Sequence, residues 1–409
     1  MGCPSQPPAP AKPTGTGIEV ADIFRAHGQR YCQTHAPTPE QRKVMRAIES
    51  CRTPALGGHG EVCDQCGYFR AVYNSCRNRH CPKCQSLTQA KWIDERLLRL
   101  VPTHYFHVVF TLPAELRTLC RLNPRVLYGL LFDAAAKTLL TLGQDPNRLG
   151  GQLGITSVLH TWTQELTFHP HVHCIVTGGG LSVDGTTWKA ARRKYLAPPK
   201  VVSRLFRGLF LDKLKRAMEQ GKLKGGDKDG LNTLLAPLYK TEWNVYSKRS
   251  FGGAEQVFKY LGRYTHRVGI SNQRLVSMDE HQVSFATKDG RTITITPEQF
   301  IHRFLLHVLP YGFAKIRHYG LWASSNVTTR LPLARALLTM AAVVLGIQAT
   351  PCKSVPSGAV DLDWRARLLR LTGIDVLRCP RCQQGRMLAV PLSAIEPLSE
   401  TDVVFKDTS

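Results

Sequence analysis

The chain has 409 residues, 43% of them hydrophobic, which is enough for two or three domains with a sizeable core. No uninterrupted apolar run reads as a membrane span and the first seventeen residues carry no apolar signal core, so a cytoplasmic protein with no membrane partner is expected. Fifty-four Lys and Arg stand against 30 Asp and Glu, a formal net charge of +24 that points to a polyanionic partner, nucleic acid first.

Residues 1–17 are rich in Pro, Ala, Gly and Thr and read as a disordered tail. A helix is expected from Pro39 to Ser50, where Val44, Ala47 and Ile48 share one face. Residues 51–86 form a cysteine cluster, Gln89 to Leu100 reads as a helix leaving it, and Pro102 marks a boundary. Strand signals then alternate with helical ones. His104 to Leu112 is a strand, 113–142 is mostly helical, and Ile155 to Trp162 and His171 to Thr177 are strands. Thr186 to Trp188 is a short edge segment, Val201 to Glu219 a helix, Thr241 to Ser247 a strand and Ala254 to His266 a helix. This order predicts an α+β fold, a split βαβ (ferredoxin-like) antiparallel sheet with helices on one face. Asp289-Gly290 between two β-like runs marks a hairpin within Val283 to Thr296. Helices are expected at 296–307 and 331–345. The segment from about Cys352 onward is separate and contains Cys379-Pro-Arg-Cys382. The expected organisation is a tail at 1–17, a helical and zinc-binding DNA-binding module at 18–100, a catalytic domain at 101–325 and a helical C-terminal region at 326–409.

Three constellations carry chemistry. Six of the thirteen cysteines lie between Cys51 and Cys84. Cys63-x2-Cys66 and Cys81-x2-Cys84 each form a tight knuckle, and two such pairs make a structural zinc signature. Cys63, Cys66, Cys81 and Cys84 are the expected zinc ligands; Cys76, His80, His59 and Cys51 are alternates, and a second metal is open. The basic loop Ser75-Cys-Arg-Asn-Arg-His80 and Lys83 add Arg77, Arg79 and Lys83 as candidate phosphate contacts. Cys379-Pro-Arg-Cys382 repeats the Cys-Pro-x-Cys pattern without a second pair downstream. It reads either as a degenerate knuckle with Cys352 or as a segment with no metal role.

The second constellation is His169-Pro-His171-Val-His173. Strand side chains alternate with period two, so the three imidazoles share one face. Held neutral, they can share a divalent cation. His171 and His173 form a His-hydrophobic-His pair, and His169 or Gln164 supplies the third ligand. His169 is favoured by strand parity, and Gln164 gains if Pro170 kinks the strand. The third is Tyr260-Leu-Gly-Arg-Tyr264, whose tyrosines at i and i+4 share a helix face, with Lys259, Arg263 and Arg267 as cations around them. The stretch from Lys189 to Lys224, with twelve Lys or Arg against two acids, is expected along a DNA strand.

Together these residues describe tyrosine attack on a DNA phosphodiester that a divalent ion polarises, giving a 5′-phosphotyrosine and a free 3′-hydroxyl. Bond energy is retained for rejoining. Alternatives are a zinc-dependent DNA-binding protein without cleavage activity, a rolling-circle replication initiator, and a histidine-metal hydrolase of a small substrate. The hydrolase explains neither the charge nor the tyrosine pair.

These motifs, with Phe304-Leu-Leu-His-Val-Leu-Pro-Tyr-Gly-Phe313 and Ile316-Arg-His-Tyr-Gly320, resemble the two-tyrosine HUH rolling-circle transposases of the insertion-sequence ninety-one group over roughly residues 25 to 325. The resemblance implies a zinc-binding N-terminal module with structural Zn²⁺ and an HUH endonuclease domain using Mg²⁺ or Mn²⁺. It also implies transposition and recombination through single-stranded DNA at transposon ends and target. By motif, His171 and His173 carry over as ligands, and Tyr260 and Tyr264 as nucleophiles.

Overall fold

The computed structural model describes residues 17–192, 196–225, 228–249, 262, 269–344 and 362–392. Two helices, α1 (Val20–Thr34) and α2 (Pro39–Glu49), lead into a hairpin of β1 (Gly58–Cys63) and β2 (Phe69–Tyr73), followed by α3 (Ser86–Leu97). Thr38 starts α2 with a reciprocal capping box to Gln41, and Pro39 occupies the first turn, where its missing N–H costs nothing.

The central sheet holds β3 (Tyr105–Thr111), β4 (Gln152–Trp162), β5 (Phe168–Leu181), β6 (Trp188–Ala190), β7 (Val245–Arg249) and β11 (Ile316–Gly320). Its order is β11-β4-β5-β3-β7, with β6 on β5, and these strands all pair antiparallel. That is the expected split βαβ order, extended at the β4 edge by β11. The helices α4 (Arg117–Leu122) and α5 (Pro124–Gln144) connect β3 to β4; α6 (Pro199–Glu219) and α7 (Lys228–Lys240) precede β7.

Alternation along β3 and β5 divides the sheet's faces. Phe106, Val108 and Phe110, with Val172, Cys174 and Val176, face α5 and α6 in one core with Phe132, Phe206 and Phe210. Burying one such aromatic contributes about 1.5–3 kcal/mol of transfer free energy. The residues between them, among them His107, His171 and His173, occupy the other face. At the far end of β5 the backbone of Gly180 meets Gly151. An added Cβ there would lie 2.6 Å from the Gly151 carbonyl carbon, which is why a glycine run ends the strand.

The apolar run of α5 is interrupted by Asp133 and Lys137, as the expected lack of an uninterrupted span requires. The helix is 21 residues long and apolar enough to cross a membrane. It packs instead between the sheet and α6, with Leu127, Leu131, Phe132 and Leu139 fully buried.

A second core joins α1 and α2 to a small sheet of β8 (Leu275–Met278), β9 (Val283–Ala286) and β10 (Thr292–Ile295), and to α8 (Pro297–Leu305). A third lies on the histidine side of the sheet, where Trp92 and Leu97 of α3, Val158, Ile175, Trp322 and α9 (Arg330–Val344) meet. The C-terminal segment adds α10 (Trp364–Thr372) and β12 (Met387–Val390). β12 pairs antiparallel with β1, so the C-terminal segment shares a sheet of order β12-β1-β2 with the β1–β2 hairpin.

Candidate functional site

The histidines gather at the middle of the central sheet. β4 and β5 run antiparallel with His160 opposite His171 and Val158 opposite His173. The ligand nitrogens of His160, His171 and His173 all lie within 4.8 Å of one another. The rings of His160 and His173 are 4.3 Å apart between centroids, and those of His171 and His173 are 4.8 Å apart.

Neighbouring groups orient the rings. His171 Nδ1 is 2.6 Å from the His169 carbonyl oxygen. A carbonyl only accepts, so this nitrogen carries the proton and Nε2 keeps its lone pair. His173 Nδ1 is 2.8 Å from Nε2 of His107, on β3. With the proton on Nδ1, His173 also presents Nε2. Burial pushes His171 down to about 4, and pushes His173 and His160 well below the ordinary imidazole range, with neighbouring imidazoles adding to the effect. Three neutral imidazoles that close together form a donor set for a divalent cation.

The third member is His160, not the two residues expected. His169 shares the parity of His171 and His173, but its Nδ1 lies 3.5 Å from Arg117 Nη2 and outside the cluster. Gln164 is turned away by the β4–β5 loop. Thr163 Oγ1 meets Thr167 Oγ1 at 2.7 Å, and Leu166 takes a left-handed conformation (φ 58) to bury its side chain fully. Gln164 Oε1 then accepts from the Lys288 N–H at 2.6 Å. His160 stands in no local motif; only strand pairing brings it to His171.

The cysteines also regroup. Cys63 and Cys66 do not face Cys81 and Cys84. Cys51, Cys76, Cys81 and Cys84 form one cluster, and Cys63, Cys66, Cys379 and Cys382 another. A knuckle's spacing determines two thiols locally and leaves open which pair faces them, so two knuckles in one loop need not share an ion. In the first cluster Cys51 Sγ is 3.3 Å from Cys84 Sγ, and Cys76 Sγ is 3.6 Å from it. Its thiols pack against the α1–α2 core. His80 is not a member. Its Nδ1 is 3.1 Å from Asn78 Oδ1, and its Nε2 accepts from the Leu309 N–H at 3.2 Å. Burial pushes it down to about 3. His59 is also outside the clusters, 3.6 Å from Glu61.

Two kinds of comparison identify the chain's relatives. Residues 154–329 match the family model Y2_Tnp, described as "Putative transposase", and residues 23–112 match the transposase zinc-binding domain Zn_Tnp_IS91. A protein named "Putative transposase y4qJ", from Sinorhizobium fredii (strain NBRC 101917 / NGR234), is 46% identical over 394 residues, covering 92% of this chain and 96% of its own length. The chain belongs to the IS91 family of transposases. The transposase for insertion sequence element IS801 of Pseudomonas savastanoi pv. phaseolicola is 29% identical over 368 residues, covering 86% of this chain and 84% of its own length. No solved structure matches.

In this IS91-family transposase the match to the zinc-binding domain contains the whole first cluster, but only Cys63 and Cys66 of the second. The three histidines fall in the matched stretch 154–329. The cations expected on DNA have other partners in part. Arg79 Nη2 donates to the Phe313 carbonyl at 2.8 Å, and with His80 it docks the first cysteine cluster onto the 309–315 segment beside the sheet. Lys83 Nζ pairs with Glu19 at 2.5 Å. Arg77 is exposed. α6, the helix of the basic stretch, packs through Phe206 on Phe110, on the sheet face opposite the histidines. Tyr260, Tyr264, Lys259, Arg263 and Arg267 lie outside the described residues. Gly262, between the tyrosines in sequence, is buried and stands against Ile93 and Gln89 of α3.

Proposed function

We propose that this transposase cleaves and transfers single-stranded DNA by tyrosine attack, with Tyr260 and Tyr264 as nucleophiles and His160, His171 and His173 as holders of a divalent ion. The observation that carries the reading is the cluster of three neutral imidazoles on one face of a ferredoxin-like sheet, with His171 and His173 oriented by hydrogen bonds at Nδ1. The donor set fits a metal. Three imidazoles suit Mn²⁺ better than the harder Mg²⁺. When bound, the ion polarises a scissile phosphate.

The chain's own residues do the rest. A tyrosine hydroxyl attacks phosphorus, its proton leaves to solvent or a nearby base, and the 3′ oxygen departs. The product is a 5′-phosphotyrosine and a free 3′-hydroxyl. The 3′-hydroxyl of another strand reverses the step and joins that strand to the held 5′ end. Two nucleophiles allow two 5′ ends to be held at once. The first cysteine cluster supports structural Zn²⁺ in the module docked beside the sheet.

The test is a denaturing-gel assay of labelled single-stranded DNA from the element's ends with Mn²⁺ or Mg²⁺. Wild type is run beside Tyr260→Phe, Tyr264→Phe, the double variant and His171→Ala. A protease-sensitive adduct lost in the double variant and in His171→Ala supports the reading. Binding without any adduct, whatever the metal, overturns it and leaves a DNA-binding protein without cleavage activity.

A further inference from the structure

The second cysteine cluster shares no residue with the first and is built from two Cys-x2-Cys turns distant in sequence. Cys63-Asp-Gln-Cys66 and Cys379-Pro-Arg-Cys382 face each other, with Cys63 Sγ 3.7 Å from Cys382 Sγ and Cys66 Sγ 3.7 Å from Cys379 Sγ. All four sulfurs lie within 4.8 Å of one another, and none is in a disulfide.

The two turns have the same construction. In the first, the N–H groups of Gln65 and Cys66 point at Cys63 Sγ at 3.4 and 3.5 Å. In the second, the N–H of Arg381 points at Cys379 Sγ and that of Gly385 at Cys382 Sγ, both at 3.4 Å. The N–H of Gly67 reaches the Cys63 carbonyl at 3.1 Å and that of Gln383 the Cys379 carbonyl at 3.1 Å. Both residues are left-handed, with φ 69 and 59. Backbone donors aimed at sulfur favour thiolate over thiol.

The apolar content here is too small to hold the two segments together. Among the described residues this cluster buries Cys63, Cys379 and Met387, with Tyr68 and Cys382 at its edge. A segment with so little core requires a staple. Gly385 is packed so closely that an added Cβ would overlap Cys63 Sγ and lie 2.7 Å from Asp64 Oδ1.

We propose that Cys63, Cys66, Cys379 and Cys382 bind a second structural zinc ion, forming a ribbon assembled from two segments more than three hundred residues apart. Tetrahedral tetrathiolate coordination matches the donor type and number. The ion clamps β12 to β1, and through the same C-terminal segment it holds α10 against α3, where Arg367 Nη1 meets Asp94 Oδ2 at 2.6 Å. This site stands independently of the tyrosine chemistry, since it shares no residue with the histidine cluster.

Cobalt(II) titration of the metal-free full chain tests it, because thiolate-to-cobalt charge transfer reports sulfur sites and is silent on the histidine site. Wild type is expected to take up two equivalents with this signature. Cys379→Ser/Cys382→Ser is expected to take up one, and Cys81→Ser/Cys84→Ser the other one. The equivalent remaining in each variant shows that it still folds. A second readout needs no variant: in wild type, zinc is expected to shield Cys379 and Cys382 from alkylation, and a chelator to expose them. One equivalent in wild type, unchanged by Cys379→Ser/Cys382→Ser, overturns the proposal. Alkylation of Cys379 and Cys382 at the same rate with and without zinc does so too.

Discussion

His107 on β3 and His173 on β5 stack with ring centroids 5.1 Å apart and an interplanar angle of 11°, and are joined at 2.8 Å from Nε2 to Nδ1. Val109, not His107, lies directly opposite His173 in the register, so the contact is a diagonal one across neighbouring strands. It leaves His173 one nitrogen for a metal and holds the ring in place. His107→Ala is expected to weaken Mn²⁺ binding roughly 10- to 100-fold, the usual cost of removing an outer partner of a ligating imidazole. Calorimetric titration of the purified chain measures this. An unchanged affinity would show that His173 orients itself without the partner.

His160 gives a sharper contrast. His160→Ala is expected to abolish Mn²⁺ binding and the covalent adduct as fully as His171→Ala does. His169→Ala and Gln164→Ala are expected to keep both within a few-fold. Adduct yield across the four variants decides the third ligand. Retention in His160→Ala together with loss in His169→Ala would reverse the assignment.

The imidazoles also set a pH dependence. Burial pushes His171 and His307 down to about 4 and pushes His160 and His173 well below the ordinary imidazole range, whereas the unfolded chain titrates near the ordinary 6.5. Below about pH 6.5 the unfolded state therefore binds more protons than the folded one. Their contribution to stability is complete above that pH and declines as the pH falls toward about 4. Urea midpoints of the metal-free chain are expected to be flat from pH 8 to about 7 and to drop below about 6.5, with a shallower drop in His160→Phe. A midpoint unchanged down to pH 5 would mean the rings are hydrated in solution.

Asp94 of α3 is the acid that receives the C-terminal helix. Its Oδ2 takes Arg367 at 2.6 Å and Arg370 at 2.5 Å, and the Arg367 side chain is only 3% exposed. Asp94→Ala leaves a buried guanidinium without its anion, at a cost of about 3–5 kcal/mol. The expected outcome is release of α10, read as rapid proteolysis near residues 362–372, with the cysteine signal of residues 51–84 retained. Unaltered proteolysis would assign the docking of α10 to apolar contacts alone.

Gly262 is buried against Ile93, where an added Cβ would overlap Ile93 Cδ1. Gly262→Val is expected to reduce adduct formation at least ten-fold while leaving single-stranded DNA binding in place. Ile93→Ala in the same chain is expected to recover part of the loss, because the two residues contest one space. Equal activity of Gly262→Val and wild type would show that α3 does not constrain this position.

Much of the sheet was legible locally. The strand expected at His104 to Leu112 is β3, whose Phe106, Val108 and Phe110 alternate with His107 and Val109, and the helix expected from Pro39 is α2. α5 was harder to read. Its run is long and apolar because the helix is covered on two sides by the sheet and α6, and hydropathy does not distinguish protein cover from lipid. β11 was visible only as a motif, since an edge strand whose residues are mostly half-buried has weak alternation. Arg79, a candidate phosphate contact by charge, also donates to the Phe313 carbonyl, which charge by itself does not reveal.

The sequence by itself determined what is decided within a few residues. That includes the shared face of His171 and His173, which follows from the two-residue repeat of a strand, and the paired thiols of each knuckle, which follow from a four-residue turn. Only the tertiary structure decided which distant groups complete each set. His160 reaches His171 through the register of β4 on β5, and Cys63 reaches Cys382 across 319 positions through β1 on β12. The knuckles at 63–66, 81–84 and 379–382 have the same spacing, so local chemistry leaves their pairings degenerate. Strand pairing and side-chain packing break that degeneracy, since only one arrangement buries the apolar faces on both sides of the sheets.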